Sequence, residues 1–209
     1  MIIVHHLNDS RSQRILWLLE ELNVPYEIKR YQRDAQTRLT PPELKAIHPL
    51  GKSLVITDTD NGRVIAESGA IIDDILRRHG NGRLQPDPAS AAYDDYVHWL
   101  HYAEGSAMPA LILKITVSRL GDAALPVGAR LDSEISSHLD SINGKLEGRN
   151  DHLGDELTAA DIQLSFVGEL ASARMDLSSY PNIREWVKRF QARPAYKAAL
   201  ERGGAYSFA

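Results

Sequence analysis

The hydrophobic pattern of this chain changes once, at the turn-rich segment Gly80–Pro88. Before that segment, apolar runs with the period of strands and of helices alternate, and after it the apolar pattern is helical throughout. Glycine, asparagine, aspartate and proline concentrated in one short segment are typical of a linker. The pattern therefore predicts a mixed α/β domain at residues 1–80, a linker at 81–88 and an all-helical domain at 89–209.

The first domain is predicted to run strand, helix, strand, and then β-hairpin and helix. The predicted strands are Met1–Leu7, Pro25–Tyr31, Leu54–Thr57 and Arg63–Ala66. The first helix begins after Ser10 and ends near Asn23, Pro41-Pro42 opens a short helix, and Glu67-Ser68 opens another. Asn61-Gly62 suits the tight turn of the hairpin. This order predicts a small mixed sheet with helices, not a doubly wound sheet.

The second domain is predicted to begin with one long helical stretch, Ala89–Leu120, which Pro109 interrupts near Gly105–Met108. Further helices are predicted at Pro126–Leu146, from Thr158 onward, at Pro181–Phe190 and at Pro194–Leu200. Thr158 and Asp161 have the spacing of a capping box, in which each residue satisfies the other's backbone N–H.

Composition excludes several classes of protein. A net charge of −4 and a pI near 6.1 argue against a nucleic-acid binder. The sequence shows no apolar run long enough to span a bilayer and no signal peptide, so a cytoplasmic protein is expected. With no cysteine, the chain has no catalytic or metal-binding thiolate, and any sulfur chemistry must use a thiol on a substrate. The histidine spacing predicts no metal site.

The join between the first strand and the first helix, Asn8–Arg14, carries the strongest candidate for chemistry. Ser10 is a good N-cap, and Gln13 follows at the spacing of a capping box. On one interpretation Ser10 only caps the helix. On the other, its hydroxyl and the free N–H groups of the helix start stabilise a bound thiolate or carboxylate. The local sequence leaves both open.

Four motifs in order make the chain resemble the glutathione transferases, and in particular a branch found in bacteria and fungi. They are Ser10-Arg11-Ser12-Gln13-Arg14, His48-Pro49-Leu50-Gly51-Lys52-Ser53, Glu67-Ser68-Gly69, and the Thr158–Asp161 box with Arg193-Pro194-Ala195-Tyr196. The resemblance covers nearly the whole chain. It implies a thioredoxin-like N-terminal domain, an all-helical C-terminal domain and a homodimer joined through the helix after Glu67 and the first helix of the second domain.

By this resemblance Ser10 would donate a hydrogen bond to the sulfur of glutathione, the co-substrate, and favour its thiolate. Glu67 would hold the ammonium group, and Ser68 with the N–H groups of its helix would hold the γ-glutamyl carboxylate. Lys52 would face the glycyl carboxylate, and the Lys52-Ser53 backbone would pair with the tripeptide. Taken singly, these residues are also typical of a solvated loop and an ordinary helix start.

The resemblance fails at Leu54, where the family has a cis-proline. A cis bond before a residue other than proline costs ~2.5–4 kcal/mol, so the Ser53-Leu54 bond is expected to be trans. Two functions remain open on the sequence. The first is conjugation of glutathione to a small hydrophobic electrophile, with peroxide reduction as a second activity. The alternative is a related binding or scaffold protein with weak or no turnover.

The electrophile site is the part of the protein that the sequence predicts least. By resemblance it lies between the domains, where Tyr102, Met108 and Leu111 either line it or belong to the helical core. Arg11 either faces this cleft or is a solvated residue at the helix start. Arg14 is expected to support the first helix.

Overall fold

The structure, a computed structural model, describes residues 1–37 and 39–209. Four strands form one sheet: β1 (Ile2–Leu7), β2 (Tyr26–Tyr31), β3 (Val55–Asp58) and β4 (Arg63–Ala66). The helices are α1 (Gln13–Glu21), α2 (Ser68–Ile75), α3 (Ala91–Tyr102), α4 (Met108–Ser118), α5 (Leu125–Lys145), α6 (Ala159–Arg174), α7 (Pro181–Gln191) and α8 (Pro194–Gly203). Short helical turns occur at Pro42–Ala46, Leu76–Gly80, Ala103–Ala107 and Gly121–Ala124. Within these described residues, no helix is long and apolar enough to cross a membrane.

The sheet has the strand order β2-β1-β3-β4. β1 runs parallel to β2, as a βαβ unit requires, and antiparallel to β3, which pairs antiparallel with β4. The predicted thioredoxin-like sheet is therefore confirmed. β3 begins at Val55, one residue later than the sequence predicted.

Two compact units emerge from the contacts: residues Met1–Leu84 with Phe190–Ala209, and residues Gln85–Arg189. The first unit ends close to the predicted linker. The C-terminal segment, which the sequence placed in the helical domain 89–209, is grouped with the sheet because α8 packs on α1.

Aromatic packing and ion pairs hold α8 against α1. Trp17 stacks on Phe190 at 5.3 Å and meets Tyr196 edge-on at 5.4 Å between ring centroids. Arg193 pairs with the half-buried Glu21 at 2.6 Å. Arg202 lies 3.7 Å from the centre of a tyrosine ring on β2, a cation–π contact. These contacts make the end of the chain a structural part of the first unit.

In the second unit α6 is the central helix, buried from Ala159 to Ala171. Its small residues permit close approach: a Cβ on Gly168 would lie only 2.7 Å from Trp186. The capping box at the start of α6 is confirmed, with the Thr158 N–H donating to Asp161 Oδ2 at 3.0 Å. The predicted interruption before Pro109 is also confirmed, as a wide helical turn at Ala103–Ala107.

Candidate active site

The strand registers bring three distant segments to one end of the sheet. β1 ends at Leu7, just before the Ser10 turn, and His5 of β1 pairs with Val55, the first residue of β3. Val55 in turn pairs with Ala66, the last residue of β4. Residues 52–54, which precede β3, and residues 67–68, which follow β4, therefore lie at the same end as the Ser10 turn.

The structure corrects the predicted start of the first helix. α1 begins at Gln13 with Ser12 at the N-cap, and Gln13 is its first residue. Ser10 lies before the helix, and its hydroxyl donates to the Leu7 carbonyl at 2.7 Å. The Ser10–Gln13 capping box is wrong because Ser10, Arg11 and Ser12 form a turn of their own, closed by the Gln13 N–H on the Ser10 carbonyl at 3.2 Å.

Two hydrogen bonds from other parts of the first unit hold Asn8 and Asp9, the residues that lead into this turn. The Arg33 N–H donates to Asn8 Oδ1 at 2.8 Å, from the segment after β2. The Ser207 N–H, close to the C-terminus, donates to Asp9 Oδ1 at 2.9 Å. Asp9 has a φ of +48°, a left-handed conformation that aspartate tolerates better than most residues. Sequence reasoning missed Ser207, because nothing local ties the C-terminus to the first strand.

Ser10 is one member of a buried polar group. Its hydroxyl lies 2.7 Å from that of Ser12, which lies 2.8 Å from Nδ1 of His6. The side chain of His5 points to the other face of the sheet, where its ring bonds Tyr31 and Thr57 at 3.0 and 2.9 Å. The period of a strand could have indicated that His6 faces α1, but not that Ser12 would meet it.

Burial is the main cause that lowers the pKa of His6, to about 4, and the Arg30 charge lowers it further. The pKa of His5 is also lowered, by burial and then by Lys29. His6 is therefore neutral near pH 7, and its ring carries one proton that it can donate to Ser12 or keep on the far nitrogen.

The segment before β3 combines an exposed cation with a fixed loop. Lys52 is exposed and makes no hydrogen bond or ion pair with the described residues. Ser53 Oγ donates to the His5 carbonyl at 3.2 Å, which ties the loop to β1. Leu54 is buried, and since the described chain contains no cis peptide bond, the Ser53-Leu54 bond is trans as expected.

The start of α2 holds the most unusual backbone of this end of the sheet. Glu67, at its N-cap, has φ +72° and ψ 122°, a sparsely populated conformation for a residue with a Cβ. Its carboxylate is exposed and has no partner within residues 1–37 and 39–209. Ser68 is buried as the first residue of α2. Strained backbone conformations of this kind cluster at functional sites in proteins.

The structure does not gather all of the other predicted residues at this end of the sheet. Arg11 is half-buried in the turn, and Arg14 is buried on α1 as expected of a supporting residue. Tyr102 and Met108 belong to the second unit. The Tyr102 hydroxyl lies 2.6 Å from His138 Nδ1, and burial raises its pKa. Met108 is only 1% exposed and fills the helical core.

Comparison with known proteins identifies the family. Residues 10–78 match the family model for the glutathione S-transferase N-terminal domain. The chain is 34% identical to glutathione S-transferase 1 of Saccharomyces cerevisiae, over 98% of this chain and 96% of the yeast protein. It is 35% identical to glutathione S-transferase 3 of Schizosaccharomyces pombe, over 97% and 88%.

A solved structure agrees with these relatives. A glutathione S-transferase from Actinobacillus pleuropneumoniae superposes with a TM-score of 0.90 and 35% identity, covering 99% of this chain and 94% of that one. Relatives of this kind favour a transferase over the binding or scaffold alternative. The chain therefore belongs to the glutathione S-transferase family.

Proposed function

We propose that this glutathione transferase binds glutathione at the end of the sheet that carries the Ser10 turn, residues 52–54 and residues 67–68, and that Ser10 activates the thiol. The observation that supports this most directly is the pairing of Val55 with both His5 and Ala66, which gathers the three segments. The bound thiol loses its proton to solvent, and the thiolate sulfur forms a bond to a small hydrophobic electrophile. The bond to the leaving group breaks at the same carbon, and the leaving group departs with that electron pair.

The charges at this end of the sheet complement those of glutathione. The exposed Glu67 carboxylate suits the ammonium group, and the N–H groups that open α2 at Ser68 suit the adjacent carboxylate. Lys52 offers an exposed cation for the glycyl carboxylate. Both charged side chains lack a partner among the described residues, so no internal ion pair has to be broken on binding.

Thiol activation requires a change at Ser10. Its hydroxyl has one proton, which it donates to the Leu7 carbonyl. To donate to sulfur instead, the side chain must turn away from that carbonyl. The helix dipole of α1 adds to the stabilisation of the thiolate.

The trans bond before Leu54 limits what the Ser53 backbone contributes. By the family resemblance this backbone would form one or two hydrogen bonds with the tripeptide, each worth ~0.5–1.5 kcal/mol net. We expect Leu54→Pro to recover part of this and to tighten glutathione binding, measured by calorimetric titration. A variant that binds more weakly and also melts lower would remove Lys52 and Ser53 from the proposed site.

Arg11, in the Ser10 turn, is the candidate for contact with the second substrate, whereas Met108 lies buried in the helical core. Peroxide reduction is proposed as a second activity. We also propose a cytoplasmic homodimer that detoxifies electrophiles. Light scattering on the purified protein tests the dimer: the mass of a single chain, 23.3 kDa, would contradict it.

Glu67 provides a sharp test of the site, because strain and function act on it in opposite directions. Glu67→Gly relieves a conformation that costs ~1–3 kcal/mol, so the variant should melt higher. It also loses the proposed ammonium partner, so it should bind glutathione more weakly in calorimetric titration. Ser68→Ala should likewise weaken glutathione binding more than it changes the KM for a generic aryl halide.

The proposed activity itself is tested on wild-type protein. Retention on immobilised glutathione and conjugation of an aryl halide are the expected results. A folded protein that is not retained and does not conjugate would overturn the proposal. Glu67→Gly that melts higher with unchanged glutathione affinity would remove only Glu67 from the site.

A further inference from the structure

The polar group behind Ser10 is continuous and buried. It runs from Nδ1 of His6 to the Ser12 hydroxyl at 2.8 Å, from there to the Ser10 hydroxyl at 2.7 Å, and on to the Leu7 carbonyl at 2.7 Å. The three side chains are 4%, 0% and 4% exposed. Glutathione transfer as described above uses only Ser10, so the role of the other two residues is unexplained.

The backbone fixes this arrangement. The Leu7 N–H donates to Ser12 Oγ at 3.3 Å, and the Ser12 N–H donates to Ser10 Oγ at 3.2 Å. Ser12 stands at the N-cap of α1 but makes no side-chain capping bond within the described chain, so its hydroxyl serves this group and not the helix.

The ring proton of His6 and the hydroxyl protons of Ser12 and Ser10 can be arranged in two ways. If His6 carries its proton on Nδ1, it donates to Ser12, and the Ser12 hydroxyl can turn its own proton to the Leu7 carbonyl, 3.3 Å away. That carbonyl then no longer needs Ser10. If the proton is on Nε2, Ser12 donates to His6, and among these hydroxyls only Ser10 remains for the carbonyl.

We propose that His6, by donating from Nδ1, holds Ser12 on the Leu7 carbonyl and thereby frees the Ser10 hydroxyl to donate to the sulfur of glutathione. His6 and Ser12 are positioning residues in this scheme, since neither touches the substrate. The scheme rests on the proposed role of Ser10. It supplies the change at Ser10 that thiol activation requires, without leaving a buried carbonyl unpaired.

The readout is the pKa of the thiol of bound glutathione, followed by the ultraviolet absorbance of the thiolate. His6→Gln, whose amide lies too far along the side chain to replace Nδ1, should raise this pKa by about one unit, about tenfold less thiolate at a given pH. Ser12→Ala should do the same. His6→Asn places an amide close to the position of Nδ1 and should restore most of the effect.

Two controls separate this role from a structural one. His5→Asn alters the neighbouring residue of β1, whose ring bonds Tyr31 and Thr57 on the other face, and should leave the thiol pKa unchanged even if the variant melts lower. Combining His6→Gln with Ser10→Ala should raise the thiol pKa no further than Ser10→Ala alone, because both changes remove the same hydrogen bond, the one from Ser10 to sulfur.

The outcomes distinguish the two proposals. If Ser10→Ala raises the thiol pKa but Ser12→Ala and His6→Gln do not, the positioning role is wrong and the role of Ser10 stands. If Ser10→Ala itself leaves the pKa unchanged, both are wrong. Should His6→Gln fail to fold, Ser12→Ala decides by itself, since Ser12 makes no capping bond among the described residues whose loss would unfold α1.

Discussion

The starts of helices α1 and α6 look alike in sequence but are built differently. Ser10–Gln13 and Thr158–Asp161 both have a hydroxyl residue three positions before a side chain that can accept a hydrogen bond. At α6 the pattern forms a buried capping box. At α1 the helix begins two residues later than the pattern predicts, and the Ser10 hydroxyl turns back to the strand. The box at α6 satisfies the Thr158 N–H, whereas at α1 the Ser10 hydroxyl lies outside the helix and bonds the Leu7 carbonyl.

The charge of the acceptor contributes to this difference. Asp161 accepts hydrogen bonds from the backbone N–H groups of Thr158 and His152 and from Nδ1 of His152, at 2.7 to 3.0 Å. A neutral amide such as that of Gln13 forms weaker bonds and is easily displaced from a box. In the structure the Gln13 amide is buried with no hydrogen-bond partner among residues 1–37 and 39–209.

The largest expected effect is at Asp161. Asp161→Ala leaves the His152 ring and two backbone N–H groups buried without their acceptor, which should cost on the order of 3–5 kcal/mol of unfolding free energy. Urea denaturation measures this, with Asp161→Asn as the matched control that retains the shape. A loss below ~1 kcal/mol would show that this box is no more important than an exposed cap.

The same carboxylate should make stability depend on pH. Burial opposes its ionisation, but the bonds from His152 and the backbone N–H groups outweigh burial and hold the pKa of Asp161 below its usual range. A depressed folded-state pKa gives stability that is complete above the unfolded value of ~3.9 and is lost as the pH falls through the folded value. Wild-type unfolding free energy should therefore fall more steeply in acid than that of Asp161→Asn.

The next effect is at Ser10. Ser10→Ala should lower turnover tenfold or more, on the order of 1.4 kcal/mol of barrier. Its folding should be little affected, because the Ser12 hydroxyl also reaches the Leu7 carbonyl at 3.3 Å. Thr158→Ala is the matched control: it should lose ~1 kcal/mol of stability while turnover per folded molecule is unchanged. If the two variants behave alike, the contrast between the helix starts is wrong.

The smallest expected effect is at Gln13, where the sign of the change in unfolding free energy shows whether Gln13 belongs to a capping box. If Gln13 belonged to a capping box, Gln13→Met would destabilise the protein. In the structure its amide is buried without a partner in the described chain, so Gln13→Met should raise the unfolding free energy by about 1 kcal/mol. Thermal and urea unfolding check this. A destabilised variant would restore the capping role to Ser10.

Much of the fold could be predicted from the sequence, because local pattern carries it. The four strands and the change to helices near residue 85 follow from hydrophobic period and from turn residues, as does the interruption before Pro109. The capping box of α6 was predictable for the same reason: its two residues satisfy each other locally. Of the candidate site, the sequence indicated three segments, and the strand registers place them together.

Other features depend on contacts between distant segments, and no local pattern encodes them. Helix α8 joins the first unit because Trp17 and Glu21 of α1 pack and pair with residues near its start. The packing around α1 encloses the Gln13 amide, and a Cβ on Gly203 of α8 would lie only 2.8 Å from its oxygen.

The sequence by itself determined the strands and helices, their order and the family. It also indicated Ser10 as the candidate residue for activating the thiol. Only the tertiary structure decided what the Ser10 hydroxyl bonds. β1 brings the Leu7 carbonyl and His6 to the start of α1. There the Ser10 hydroxyl bonds the Leu7 carbonyl at the end of the strand and does not cap the helix. A hydroxyl forms whichever hydrogen bonds its buried surroundings leave unsatisfied, and those surroundings exist only once sheet and helices have packed.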